Sequence, residues 1–363
     1  MELSRRQVLY GAALGGGALA LPRASAYTAA ASPPPTFRLP AIDHGVVLRH
    51  GGAPGGVDTL GAREAIVFRD PDEPGRLLMH YDGAGRQGWL ACLADSTDNG
   101  ATWATYGQAL WLGVPGSYDT ASASSPWVVQ DDTGLWHMYY LGARKATSAP
   151  RRIPVAPYTT LHATAPSARG PWTKRGPAIL PAKDSWYGQS ASPGPVMAHD
   201  GYWVMHFSGS SSAGPTIGLA RAESLDGPWY VDSSPLLPAS ERLENAALHY
   251  DAWSGLWWLF ANHISTVAGS DGLLYTDAIW AYVSTDPTSF STTQRALVLD
   301  AQSTSWTKVI GMPSLVPMTG GLALFYDGIQ GRTRTDHMGR DIGMAFLPLP
   351  LSLSASPFGR LRP

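Results

Sequence analysis

The feature that most constrains the fold of this chain is a two-strand pattern that recurs five times. Each copy consists of a short apolar strand, a polar turn and an aromatic-rich second strand that often ends in a small residue, which is the pattern of a β-hairpin. A recurring unit of this kind indicates a repeat architecture. The five copies begin at Ala65, Pro126, Pro195, Ala246 and Pro313.

A third strand and a fourth segment follow each hairpin. Four strands per unit and five units predict an all-β fold, a five-bladed β-propeller with four-stranded antiparallel blades, over residues 41–363. We expect the segment Val46-Val47-Leu48 to pair with the last blade, because closure of the ring removes exposed strand edges. The third strands contain Trp89, Leu161, Gly218, Trp280 and Gly343, at intervals of roughly 60 residues.

A turn motif supports the blade assignment. Residues 96–103 read Ser-Thr-Asp-Asn-Gly-Ala-Thr-Trp, which fits the S-x-D-x-G-x-T-W turn called the Asp box. In this turn the aspartate accepts hydrogen bonds from backbone donors and the Trp packs into the blade. We therefore assign Asp98 a structural role. The same slot holds Gly170-Pro171-Trp172 and Gly227-Pro228-Trp229 in later units.

The first 26 residues have the order of a twin-arginine signal peptide. Arg5-Arg6 precedes an uncharged apolar stretch from Val8 to Leu21, and Ala24-Ser25-Ala26 forms an A-x-A cleavage site. Residues 27–40, rich in Ala, Ser and Pro, are predicted to be a flexible leader. We expect a secreted or periplasmic protein with no membrane association after signal cleavage.

Composition limits the partners of the mature chain. With 44% hydrophobic and 15% charged residues, the chain can bury a sizeable core, and its net charge of -2 gives no electrostatic basis for binding nucleic acid. The single cysteine, Cys92, lies between apolar neighbours and is predicted to be a buried hydrophobe. We expect a monomer.

Candidate functional residues lie just before the innermost strand of each unit, where a propeller directs polar side chains into its central funnel. The first unit offers Asp58, Arg63 and Glu64; the second Asp119; the third Asp184, Trp186, Tyr187 and Gln189; the fourth Glu241, Arg242, Glu244 and Asn245; and the fifth Trp306 and Lys308.

The hairpins, the Gly-Pro-Trp turns and the acidic residues before inner strands resemble the five-bladed glycoside hydrolases of family 43 and their relatives in families 32, 68 and 117. The resemblance implies an exported glycoside hydrolase that acts on a plant or microbial glycan, with Asp58 as the catalytic base and Glu244 as the acid. Cleavage by inversion needs one ionised and one protonated carboxyl group across the scissile bond.

The sequence departs from the family pattern at the third carboxylate, which tunes the acid. The expected slot, residues 188–193, reads Gly-Gln-Ser-Ala-Ser-Pro and contains no carboxylate. We prefer Asp119, because Asp58 and Asp119 occupy the same place before their inner strands and both are followed by Thr. Asp184 remains the alternative.

Other side chains are assigned by their type and place. His80, His137, His206 and His249 alternate with core residues within strands and are predicted to be packed. No group of residues has metal-ligand spacing, so no metal or other cofactor is predicted, although the resemblance implies an axial calcium as an option. Substrate contacts are predicted for Arg63, Trp186, Tyr187, His263 and Arg334.

Two other functions stay open on the sequence alone. A propeller can bind a glycan without cutting it, here through Trp186 and Tyr187, because fold does not establish function. The same scaffold can also carry a lyase or metal-dependent chemistry, which a cluster of His263 and His337 would favour. Whether the three carboxylates meet in one funnel discriminates among these hypotheses.

Overall fold

The computed structural model describes residues 27–269, 272–331 and 337–353, so the predicted signal peptide lies outside the described residues. Strands make up 52% of the described residues and helices 2%, which confirms the all-β prediction. The described part contains no helix of the length and apolarity needed to cross a membrane.

The strands form five blades, and each blade is numbered here from its innermost strand outward. Two short 3-10 turns, Pro54–Gly56 and Ala239–Glu241, lie just before the innermost strands of blades 1 and 4. The strands are β1 (Phe37–Arg38) and β2 (Ile42–Leu48), which precede the blades; β3 (Gly61–Arg69), β4 (Leu77–Gly85), β5 (Gly88–Ser96) and β6 (Ala104–Gln108) in blade 1; β7 (Ser122–Gln130), β8 (Trp136–Ala146), β9 (Pro154–Ala165) and β10 (Thr173–Ile179) in blade 2; β11 (Ser190–Ser192) with β12 (Val196–His199), β13 (Tyr202–Ser211), β14 (Gly214–Ala222) and β15 (Tyr230–Val231) in blade 3; β16 (Leu243–Asp251), β17 (Leu256–Ile264), β18 (Thr276–Ser284) and β19 (Arg295–Asp300) in blade 4; and β20 (Ser314–Met318), β21 (Gly321–Ile329) and β22 (Arg340–Pro348) in blade 5.

The ring is closed by the N-terminal strand. β2 pairs antiparallel with β22, with Val46 opposite Gly343 and Leu48 opposite Ile342, and so supplies the fourth strand of blade 5. This pairing confirms the predicted closure. Because of this pairing, the outer edge of β22 is not left unpaired where the first and last parts of the chain meet.

The segment predicted to be a flexible leader lies along blades 3 and 4. The backbone amides of Thr28 and Ser32 donate to the carbonyls of Ser212 and Ser240, at 3.1 and 2.8 Å. Further along, β1 pairs parallel with β19. Main-chain contacts of this kind are not revealed by the Ala, Ser and Pro content from which a flexible leader is predicted.

Adjacent blades are joined by a contact that repeats at one position of the second strand. A buried side chain there reaches a backbone carbonyl in the outer turn of the next blade, which ties blade 1 to blade 2, blade 2 to blade 3 and blade 3 to blade 4. His80 and His206 are fully buried, which confirms the prediction that they are packed. The bonds are His80 Nε2 to Ala168 O at 2.8 Å, Tyr139 Oη to Leu225 O at 2.5 Å and His206 Nε2 to Pro287 O at 2.7 Å.

The Asp box forms as predicted. Asp98 accepts hydrogen bonds from the backbone amide and the hydroxyl of Thr102, at 2.9 and 2.6 Å, and Gly100 takes a left-handed φ of 87°. The hydroxyl and amide of Thr102 and the hydroxyl of Ser96 lower the pKa of Asp98 to about 2. Trp103 donates its indole N–H to the Gly100 carbonyl and packs edge-on against Phe325 of blade 5.

Candidate active site

A small pocket lies where the innermost strands meet. We call it the central pocket. Both of its glutamates are almost completely buried, at 2% exposure for Glu64 and 3% for Glu244. Its polar side chains come from blades 1, 4 and 5: Arg63, Glu64, Glu244, Asn245, Asn262, Thr276, His337 and Arg340.

β-bulges turn the chain inward at this pocket. The pairing of β3 with β4 shifts register between Arg63 and Ile66, and the pairing of β16 with β17 shifts between Glu244 and Ala246. Glu64 lies within the first shift and has a positive φ of 51°. A non-glycine residue in this backbone region carries strain, and such strain is common at functional sites.

A network of arginines and carboxylates surrounds Glu64. Its carboxylate pairs with Arg63 and accepts a hydrogen bond from the Ser125 hydroxyl, while its backbone amide donates to Asp327 Oδ2 at 3.0 Å. Arg340 pairs in turn with Asp327. Glu64 is therefore held by charged and polar contacts on several sides.

Two aspartates support this network from equivalent places in the second strands. Asp82 of β4 accepts the backbone N–H of Ser125, and Asp327 of β21 bonds Arg340. Burial raises the pKa of Asp82 well above its usual range, and the charge of Glu64 raises it further. Both aspartates stand before a glycine and after a tyrosine in the sequence, and this repeated Tyr-Asp-Gly was the signal that could have identified them.

Glu244 is the pocket residue with the most strongly altered ionisation. Burial raises its pKa to about 8, and the charge of Glu64 contributes, whereas Asn262 and the two arginines act in the opposite direction. The Asn262 amide donates to Glu244 Oε1 at 3.2 Å, and Oε2 has no partner among the described residues. At neutral pH Glu244 is thus protonated and can give up a proton.

The central pocket concentrates buried polar atoms that lack a hydrogen-bond partner among the described residues. A buried polar atom left without a partner costs about 1–3 kcal/mol, so a group of them is typical of a surface built to receive a polar ligand. Burial and the charges of Arg340 and Arg63 lower the pKa of His337, so it is a neutral imidazole. The atoms are Arg63 Nε, Glu244 Oε2, Asn262 Oδ1, Thr276 Oγ1, both ring nitrogens of His337, and Arg340 Nε.

Of the three carboxylates predicted to be catalytic, only Glu244 lines the central pocket. Asp58 is fully buried in the loop before β3, where it accepts the Ala53 backbone N–H at 3.1 Å and the Tyr81 hydroxyl at 3.4 Å. Through these two contacts Asp58 stabilises the loop. The chain reaches the central pocket only further along, at Arg63 and Glu64.

Asp119 lies in a different cavity, on the flank of blade 2. Its carboxylate pairs with Lys174 at 2.5 Å and accepts the Tyr140 hydroxyl at 3.0 Å. The alternative residue, Asp184, is exposed in the loop before β11. The structure therefore brings neither candidate for the tuning carboxylate together with Glu244.

The predicted substrate-binding residues are also separated. Arg63 lines the central pocket. Trp186 and Tyr187 instead pack with Phe207 inside blade 3, and Trp186 fills the space above Gly218 so tightly that a Cβ there would lie 2.1 Å from its ring. Both side chains are therefore part of the hydrophobic core of blade 3.

His263 faces its own blade. Its ring stacks on Trp280 with 4.1 Å between ring centroids, and its Nδ1 lies 2.7 Å from Asp277 Oδ1. It does not line the central pocket with His337. Arg334 lies outside the described residues.

The central pocket does not fit the axial calcium that the resemblance implies. Calcium takes six to eight oxygen ligands and prefers free carboxylates. Here Arg63 already neutralises Glu64, Arg340 already neutralises Asp327, and both guanidinium groups line the same space. Their two positive charges disfavour the binding of a metal cation in the same pocket.

Comparison with solved structures shows the same fold in carbohydrate-active proteins. The protein is similar to BT0996 in a complex with RGII, with a TM-score of 0.65, 16% identity, and coverage of 90% of this protein and 96% of that one. It is similar to the catalytic domain of the family 62 α-L-arabinofuranosidase of Coprinopsis cinerea, with a TM-score of 0.60, 15% identity, and coverage of 87% and 98%.

A third similar structure is the family 117 glycoside hydrolase Zg3597 of the marine bacterium Zobellia galactanivorans, with a TM-score of 0.59, 14% identity, and coverage of 88% and 94%. These likenesses confirm the predicted five-bladed propeller. No protein-family model matches the sequence, and no curated protein matches it significantly.

Proposed function

We propose that this chain is an exported glycoside hydrolase of the family 43 kind, which cleaves a plant or microbial glycan with inversion. The observation that carries the proposal is the pair of buried glutamates in the central pocket. One of them, Glu244, has a pKa of about 8 and keeps its proton at neutral pH, and the other, Glu64, is paired with an arginine. The twin-arginine pattern of residues 1–26 supports export.

The two glutamates take the two roles that inversion requires. Glu244 gives its proton to the glycosidic oxygen as the bond to the anomeric carbon breaks. Glu64 accepts a proton from the water whose oxygen forms the new bond on the opposite face of the sugar. Proton exchange with solvent then returns both groups to their starting states.

The surrounding residues prepare this pair. The negative charge of Glu64 helps to keep Glu244 protonated, so Glu64 contributes the effect that the sequence pattern predicted for a third carboxylate. Arg63 and Ser125 hold the Glu64 carboxylate in place. The unpartnered atoms of Asn262, Thr276 and His337 are suited to the hydroxyl groups of a sugar.

The proposal is tested with Glu244→Gln and Glu64→Gln, assayed by release of reducing ends from a panel of arabinan, xylan and mannan oligosaccharides. Removal of a general acid or base costs about 10²–10⁴ in rate, so each variant should lose activity by that factor. Asp58→Asn is the matched control, because it keeps an oxygen for the Ala53 amide and leaves the pocket unchanged.

Two results would count against the proposal. Full activity in Glu244→Gln would remove the acid from the mechanism, and binding of an oligosaccharide by the wild-type protein without any cleavage would favour a glycan-binding propeller. NMR of the first-formed anomer tests inversion directly.

A further inference from the structure

A second cluster of chemically capable side chains lies at the boundary between blades 2 and 3. It consists of His137 on β8, His162 on β9 and Asp226 in the turn between β14 and β15. Their nitrogen and oxygen ligand atoms lie within 4.8 Å of one another. No other group of three or more such residues is as close within the part of the chain that the structure describes, and none of the three lines the central pocket.

A further carboxylate orients the first histidine. Asp131 Oδ2 lies 3.4 Å from His137 Nε2, so the ring donates its Nε2–H to Asp131 and carries a lone pair on Nδ1. That Nδ1 faces His162 Nε2 at 2.9 Å. A carboxylate behind a histidine is the arrangement that fixes the tautomer and raises the basicity of metal-binding imidazoles.

Packing holds the second histidine in a form that can bind a metal. Tyr139 stacks on the His162 ring with 5.1 Å between centroids, and both histidines are at least 95% buried. The positively charged side chain near the two histidines is Arg175, which donates to the Thr164 hydroxyl. The negative charges of Asp131 and Asp226 offset its repulsion of a metal ion.

We propose that His137, His162 and Asp226 bind a divalent transition-metal ion, with Zn²⁺ as the expected metal, and that the ion links blade 2 to blade 3. Two imidazole nitrogens and one carboxylate oxygen are a donor set that Zn²⁺ prefers, with water as the fourth ligand. The site is independent of the proposed hydrolase chemistry.

Coordination requires both rings to rotate, because their nitrogens now point at each other with 5.1 Å between the ring centroids, whereas a tetrahedral ion needs each ring turned aside by roughly 35°. With Zn–N distances of about 2.0–2.1 Å, two nitrogens of a tetrahedral site lie about 3.3 Å apart, a few tenths of an ångström more than the present 2.9 Å. The proton between the rings is carried by His162 Nε2. When His162 changes to its other neutral tautomer, the proton is carried by Nδ1 and the Nε2 lone pair becomes free for the metal, so no proton has to be released to solvent. Asp226 is exposed, which leaves its carboxylate free to rotate toward the ion.

The expected consequence is a metal-dependent gain in stability. The Tyr139 hydroxyl already bonds the Leu225 carbonyl across this boundary, one residue before Asp226. An ion bound to the folded state alone raises the melting temperature by mass action. At a free Zn²⁺ concentration 100-fold above the dissociation constant, we expect a rise of roughly 5 °C.

The experiment treats the purified full-length mature protein with EDTA, removes the chelator, and adds ZnCl₂ during calorimetric titration and thermal unfolding. We expect one strong site per chain and a rise in melting temperature. Asp226→Asn, an exposed change that spares the core, should weaken binding at least tenfold, and His162→Ala should abolish it. Asp184→Asn is the matched control at another exposed aspartate of blade 3.

Either of two results would overturn the proposal: no zinc-dependent shift in the wild-type protein, or the same shift in Asp226→Asn as in Asp184→Asn. Cobalt gives a second readout that does not depend on stability. Visible absorption bands of bound Co²⁺ should appear with the wild-type protein and be lost in His162→Ala.

Discussion

Replacing Glu244 by Gln should make the fold more stable at alkaline pH while it removes catalysis. In the unfolded chain this carboxyl has its ordinary pKa of 4.5, and in the folded chain burial raises the pKa to about 8. Between these two values the folded state binds a proton that the unfolded state has lost. The free energy of unfolding of the wild-type protein therefore falls as pH rises through this window.

The size of the effect follows from the width of the window. Each unit of pKa difference is worth 1.36 kcal/mol, so a window of roughly 3.5 units costs the wild-type fold about 5 kcal/mol by the time the pH exceeds 8. Gln has nearly the same shape, still accepts from Asn262 and cannot ionise. The difference in unfolding free energy should thus be small below pH 4.5, grow through the window, and level off above about pH 8 with the variant more stable.

The assay is urea unfolding followed by tryptophan fluorescence for both proteins at a series of pH values from 4 to 9. Because the other titrating groups are shared, most of their contributions cancel in the difference. Glu223→Gln, at an exposed turn position, controls for the loss of one negative charge. Two stability curves that stay parallel over the whole range would refute the reasoning and, with it, the assignment of Glu244 as a buried acid.

Other predictions concern the fold. Gly218→Ala should destabilise the protein by about 1–3 kcal/mol, because the new methyl group would collide with the ring of Trp186. The control Gly75→Ala should be nearly neutral, because no atom lies within 4 Å of the added carbon. Equal denaturation midpoints for the two variants would contradict this packing. His80→Phe should cost about 1–3 kcal/mol by leaving the buried carbonyl of Ala168 without its donor, and an unchanged midpoint in urea would show that this interblade bond is dispensable.

The fold could be predicted from the sequence because its information is local and repeated. The alternation of apolar and polar residues defines each hairpin. Five copies of the unit predict a closed ring, because closure removes exposed strand edges. Even the closing strand could be identified, since Val46 to Leu48 is an apolar segment that stands before the first complete blade.

The site could be predicted only in part, because the bulges that build it have no local sequence signature. Glu244, which the sequence predicts in the funnel, is the second residue of β16 and lines the central pocket. The family resemblance predicts Asp58 as the base, but a one-residue bulge reverses which side chains face a given side, and here it turns Glu64 inward. The support from Asp82 and Asp327 comes from the second strands, which a search of the residues before inner strands does not reach.

The seam between β2 and β22 also determines how the molecule responds to tension. In this antiparallel pair Ile42 lies opposite Phe346, so the chain enters and leaves the propeller at the same end of the seam. A force that pulls the two termini apart therefore loads the hydrogen bonds of the seam one after another, as in unzipping, and does not load them all together in shear. A pull on the N-terminus first removes residues 28–38 from blades 3 and 4 and then peels β2 from blade 5, so an unfoldase acting there would open the strand that completes the ring one hydrogen bond at a time.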